Sequence, residues 1–142
     1  MSSDLARRAV ACKHWRWMPG MLAMTTVGRV ERERVLDVQG DCWQLPDNYA
    51  DWVCGYLDSH ETIDPTMVPD LTDPATIGCL LALVRQAWTD PGISCVIGSF
   101  RNDTYYWRVV DGRHQGSDFY AMSQIMRLTE AEALVVALEA AP

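Results

Sequence analysis

The chain has 142 residues, 49% apolar and 22% charged, and a net charge of −7. Such a length suits one domain around one core, and such a composition excludes a disordered chain. The acid surplus and the lack of a long apolar run exclude duplex nucleic acid and a membrane as expected partners.

The charge is uneven. Residues 1–34 carry seven Lys/Arg and three acids, a balance of +4, while residues 35–142 carry five and sixteen, a balance of −11. A small anion is therefore a candidate ligand for the basic N-terminal end. The start, MSSDLARRAVACKHW, lacks the unbroken apolar core of a signal peptide, so a cytoplasmic protein is expected. The five cysteines, Cys12, Cys42, Cys54, Cys79 and Cys95, form no CxxC pair and are odd in number. They read as reduced thiols, with neither a disulfide framework nor a zinc ribbon. Cys12 with His14, and Cys54 with His60, offer two metal ligands each, short of a tetrahedral set, and no metal or cofactor is expected.

A helix is expected from Asp4 to about Trp15, capped by Ser3 or Asp4, with Leu5, Ala9 and Cys12 at helical spacing and Pro19-Gly20 turning the chain after it. The stretch 21–41 holds two runs rich in Val, Thr and Leu, with Gly28 between them and Gly40-Asp41 after them, which predicts a hairpin. A short helix beginning near Asp47 follows, with Tyr49, Trp52, Val53 and Tyr56 or Leu57 three and four apart. The segment 58–70, DSHETIDPTMVPD, reads as a long surface loop.

Asp73-Pro74 is an N-cap followed by a first-turn proline. Ile77, Leu80, Leu81, Val84 and Trp88 then form one apolar stripe, ended by Asp90-Pro91-Gly92, and Gly78 is expected to allow close approach to a strand. ISCVIGSF and TYYWRVV, separated by Arg101-Asn102-Asp103, predict an antiparallel hairpin with Tyr105, Trp107 and Val109 on one face and Tyr106, Arg108 and Val110 on the other. Residues 112–127 start turn-rich and are read as adding a third strand. Thr129 and Glu132 form a capping box before a helix with Ala131, Leu134, Val135 and Leu138 on one side. The fold class expected is α+β, an antiparallel sheet covered by amphipathic helices in a single domain. Residues 1–68 supply an N-terminal helix, hairpin and acidic loop, and 69–142 a helix–hairpin–helix unit.

Two clusters are candidate ligand contacts. In CKHWRWMPGM, Lys13, His14 and Arg16 offer donors to a phosphate while Trp15 and Trp17 offer rings to a base or sugar. The competing reading packs Trp15 into the core, has Trp17 with Met18 plug the sheet edge, and leaves Lys13 and Arg16 in water. In FRNDTYYWR, Arg101, Asn102, Tyr105, Trp107 and Arg108 sit at or near the hairpin turn, where turn chemistry alone also accounts for Asn102. Catalysis has little support. No activated-cysteine context, nucleophile elbow, phosphate loop or EF-hand spacing occurs, and His114 lies in a glycine-flanked loop.

The stretches WRWMPGM, PDLTDPATIGCLLALVRQAW (from Pro69) and TEAEALVVALEAA resemble a group of small uncharacterised proteins of tailed bacteriophages and prophages. The middle and final pieces look like the phage ABA-sandwich domain. The resemblance spans residues 12–21 and 69–142 and implies a phage origin and an α+β fold, with no assigned activity. Together with the basic aromatic clusters it leads to an expected non-enzymatic accessory protein in the cytoplasm of the infected bacterial host. Its expected role is to sequester a nucleotide-derived signal of antiviral defence, as a homo-oligomer. Two alternatives stand beside it: an inhibitor that docks a host defence protein through its acidic surface, and a structural or assembly factor without ligand.

Overall fold

Helix α1 (Ser2–Ala11) seats Ala6 and Ala9 in the core, with Leu5 and Cys12 packed beside them. These come from a computed structural model that describes residues 2–27, 31–46, 60–99, 105–110 and 129–142. The helix expected near Asp47 and the strand expected within 112–127 lie outside those residues. α1 stops short of Trp15, the first departure from expectation. After Ala11 the chain turns tightly, Cys12 N–H donating to Ala9 and Trp15 N–H to Cys12. The turn aims Cys12 Sγ at the Leu138 carbonyl (3.5 Å) and His14 at that of Ala141 (3.3 Å), directions a continued helix would not give them together.

The expected hairpin is present as β1 (Leu22–Thr25) and β2 (Arg32–Arg34), paired antiparallel with Ala23 opposite Glu33. A second hairpin, β3 (Asp37–Gln39) and β4 (Cys42–Gln44), turns at Gly40-Asp41, where Gly40 adopts φ 58°, a left-handed conformation glycine takes without steric cost. Within the segment read as a surface loop, residues 60–70 are corrected to structure. They contribute β5 (Glu61–Thr62) to β4 and β6 (Met67–Pro69) to β1, and Met67, Val68 and Asp70 are buried. The sheets thus run β2-β1-β6 and β3-β4-β5. Pro69 is tolerated because β6 is an edge strand, where a missing N–H breaks no ladder.

Helix α2 (Pro74–Ala87) begins as its sequence dictates: Asp73 caps it by accepting from the Thr76 N–H, and Pro74 fills the first turn. Leu80, Leu83 and Val84 are buried, with Ile77 and Leu81 packed at the margin. Gly78 makes no close approach. It is exposed, and a Cβ built there meets nothing within 4 Å, because the stripe faces the core from the other side of the helix.

β7 (Ser94–Ser99) and β8 (Tyr105–Val110) form the expected antiparallel hairpin, with Cys95 opposite Val109 and Ile97 opposite Trp107. Thr129 caps α3 (Glu130–Glu139), accepting from the Glu132 N–H, and Ala131, Ala133, Leu134, Val135, Ala137 and Leu138 are buried. That is burial nearly all round. α3 packs against α1, α2 and the β7–β8 hairpin, and the Trp88 indole of α2's end donates to the Ala137 carbonyl at 2.8 Å. The architecture is α+β. Among the described residues no helix is long and apolar enough to cross a membrane.

Candidate functional site

The N-terminal cluster is built on a run of three tryptophans. Trp15 meets Trp17 edge-on with centroids 5.5 Å apart, and Trp17 meets Trp43 of β4 at 5.0 Å. Trp17 is 7% exposed and Trp43 1%. The expectation that Trp17 stacks on a ligand is therefore corrected: both faces of its environment are core, because a buried indole stabilises far more than a solvated one. Trp15 is half-buried, and its Nε1 is buried without a partner. Arg16 donates to the Gln86 side-chain oxygen, and His14 faces the Ala141 carbonyl, which can only accept, so Nε2 carries the proton. Lys13 is exposed. These residues fasten the N-terminal segment to α2 and to the end of α3.

Much of the N-terminal positive charge is also engaged internally. Arg32 and Arg34, two apart and so on one face of β2, reach the carboxylates flanking the start of α2. Arg32 Nε donates to Asp70 at 2.7 Å, and Arg34 forks onto Asp73 at 2.6 and 3.0 Å while also donating to the Gly20 carbonyl. Arg8 forks onto Glu139. The Arg34 guanidinium and the Thr76 donors hold the Asp73 carboxyl down to about 2 against the opposing effect of burial. Burial pushes Asp70 up, but Thr72 and Arg32 outweigh it and leave its carboxyl below the usual range. An anion at this end would have to compete with carboxylates already in place.

The hairpin cluster divides across the two faces of β8. Trp107 packs against the core on the side of Val109 and Cys95, whereas Arg108 lies on the opposite face with Tyr106 and, across the ladder, Val96 and Gly98. Trp107 and Arg108 thus do not share a pocket, the consequence of strand alternation. Arg101 and Asn102 lie outside the described residues, as does the side chain of Tyr105. Arg108 is half-buried; its Nε is buried without a partner, and among the described residues no hydrogen bond or ion pair engages the rest of its guanidinium. Among the described residues the other half-buried arginines are engaged, Arg34 by Asp73 and Arg85 by the Ile93 carbonyl. Tyr106, absent from the sequence-derived candidates, is its neighbour; the alternation of TYYWRVV was the signal that paired them. Among the described residues no hydrogen bond, ion pair or ring contact joins the N-terminal cluster to Trp107 or Arg108.

The thiols offer no activated nucleophile at the positions where they respond to their surroundings. Cys95 is pushed up to about 12 by burial, with Glu130 adding to it, and Cys79 is raised by burial and by Asp73. Among the described residues no group of three or more His, Cys, Asp and Glu is disposed to hold a metal ion. Compared with family models, with curated proteins and with solved structures, the chain matches none.

Proposed function

We propose that the protein acts by binding, as a phage accessory protein that sequesters a phosphate-bearing, nucleotide-derived signal of host antiviral defence in the host cytoplasm. The observation that supports it is Arg108. Its Nε, buried without a partner, forfeits both hydration and pairing, and in a chain with an excess of acids such a group gains from an anion delivered by a ligand. Tyr106 beside it adds an aromatic wall, and Gly98 opposite Tyr106 adds no side chain to fill the space. The phage-like motifs and the absence of a recognisable catalytic motif in the sequence agree with a binding role.

Native mass spectrometry tests this directly, on protein incubated with lysate from cells whose nucleotide-based defence is active. A retained nucleotide-like mass is expected. Arg108→Ala weakens retention roughly ten- to hundredfold, the worth of a charged hydrogen bond, while Arg7→Ala, at an exposed position of α1, leaves it unchanged. A clean spectrum across such lysates, or retention indifferent to Arg108→Ala, overturns the reading and favours the inhibitor that docks a host protein through its acidic surface.

A further inference from the structure

β5 is the shortest strand among the described residues. Two residue pairs seat it on β4, Thr62 with Cys42 and Glu61 with Trp43, and the Ile63 N–H adds a bond to the Asp41 carbonyl at 3.0 Å. Both of its residues are exposed, so burial of their side chains does little to hold it. A side-chain tie supplements the ladder. His60, the residue before β5, reaches across β4 and donates from Nε2 to Asp37 Oδ2 on β3 at 2.9 Å. The register accounts for the reach. Asp37 stands opposite Gln44, and continuing the β4–β5 pairing by one residue sets His60 on the other side of Gln44, all three on the face away from Trp43.

The carboxylate can only accept, so Nε2 keeps its proton in either charge state and a second proton is gained or lost at Nδ1. Imidazole is the side chain whose ordinary titration falls between pH 5 and 8. The His60 bond first, then the Val38 N–H and, against the opposing effect of burial, the Gln39 side chain hold the Asp37 carboxyl below its ordinary range, so the anion persists where an imidazole titrates. The bond therefore survives the titration while its strength changes, because a charged donor binds a carboxylate more strongly than a neutral one. We infer that Asp37 and His60 form a proton-operated clasp on β5: the strand is held to β3 and β4 while Nδ1 is protonated, and opens more often once that proton has left. The hold is present at mildly acid pH, is lost as pH rises through the titration of the imidazole, and is lost again only when acid neutralises Asp37. Among the described residues Cys42 is the other titratable group on this face of the three strands, one row along, whereas Glu61 shares the Trp43 face and Asp41 sits in the β3–β4 turn. The inference is independent of the ligand reading, since none of these strands belongs to the β7–β8 sheet.

Hydrogen exchange of the Ile63 amide in the full chain from pH 5 to 8, corrected for the intrinsic rate, tests it. Its protection is expected to fall about two- to fivefold as the imidazole loses its charge, the range of a partly exposed ion pair. The midpoint of that fall matches the midpoint of the His60 ring signals in NMR. The Val35 amide, bonded to the Met21 carbonyl away from this sheet, does not show the step. His60→Gln, which can donate but not titrate, removes the step, as does Asp37→Asn, which can accept but carries no charge, while Cys42→Ser leaves it in place. Ile63 protection that stays level across this range, a midpoint other than that of His60, or a step shared equally by Val35 overturns the inference. So does a step that persists in His60→Gln or Asp37→Asn, or one that disappears in Cys42→Ser.

Discussion

Asp73 shows how much one side chain can coordinate. One of its oxygens accepts from Arg34, from the Thr76 N–H and from the Thr76 hydroxyl, and that hydroxyl in turn accepts from the Leu22 N–H. A single carboxylate therefore caps α2, holds the second strand of the first sheet and, through Thr76, fixes the start of β1. Its folded-state pKa of about 2 lies below the ordinary 3.8, so the stability it contributes is fully present above the unfolded value and is lost as pH falls through the folded one. Urea unfolding followed from pH 5 downward should show a loss of stability between about 4 and 2. Asp73→Asn, which can still cap the helix but cannot pair with Arg34, should lower stability at neutral pH and flatten this acid-dependent step. An unchanged acid profile in the variant would assign the step to other carboxylates. The cap was legible in the sequence because Asp-Pro and the following apolar repeat are local. Its partner was not, since Arg34 lies 39 residues away and nothing in the alternation of VERERV names the carboxylate it will meet.

Helices α2 and α3 were readable for the same reason: capping residues and the spacing of three and four declare a helix from within. β5 and β6, of two and three residues, declare nothing from within. β6 sits between acids and prolines that resemble a loop, and it becomes a strand only because Met67, Val68 and Pro69 lie along β1, whose pairing partner no local rule can select. The candidate site was half legible in the same sense. Alternation along β8 separated Arg108 from Trp107 correctly, but only burial and hydrogen bonding reveal that Trp17 is core and that the Arg108 Nε is buried without a partner. Gly78 tests the helix itself. With open space where a side chain would stand, the glycine brings only its conformational cost, so Gly78→Ala should stabilise the protein by about 0.5–1 kcal/mol in denaturant unfolding. Destabilisation would mean that this face of α2 is covered by something, and would make it a contact surface.

The two ends of the chain are fastened to each other. Arg8 pairs with Glu139, Cys12 meets the Leu138 carbonyl and His14 that of Ala141, while one contiguous set of buried residues runs from Ala6 to Leu138. The exposed ion pair adds little by itself; the shared apolar core is what couples the ends, because residues from α1, both N-terminal sheets, α2 and α3 complete one another's burial. A lesion in the last helix should therefore be felt at the other end of the chain. Leu134, fully buried in α3, is the position at which to make it: Leu134→Ala leaves a cavity and should cost about 2–5 kcal/mol. The variant is made with Trp88 and Trp107 replaced by Phe, so that the tryptophan fluorescence comes from the N-terminal half, where Trp15, Trp17 and Trp43 lie. If the core is one cooperative unit, the variant shifts the fluorescence transition and the helical circular dichroism transition by the same amount, and the two stay coincident. If instead the fluorescence transition stays in place while the helical signal moves, the N-terminal sheets fold apart from the helix–hairpin–helix unit. The core would then be two units in contact, and the tie between the chain's ends a docking of one onto the other.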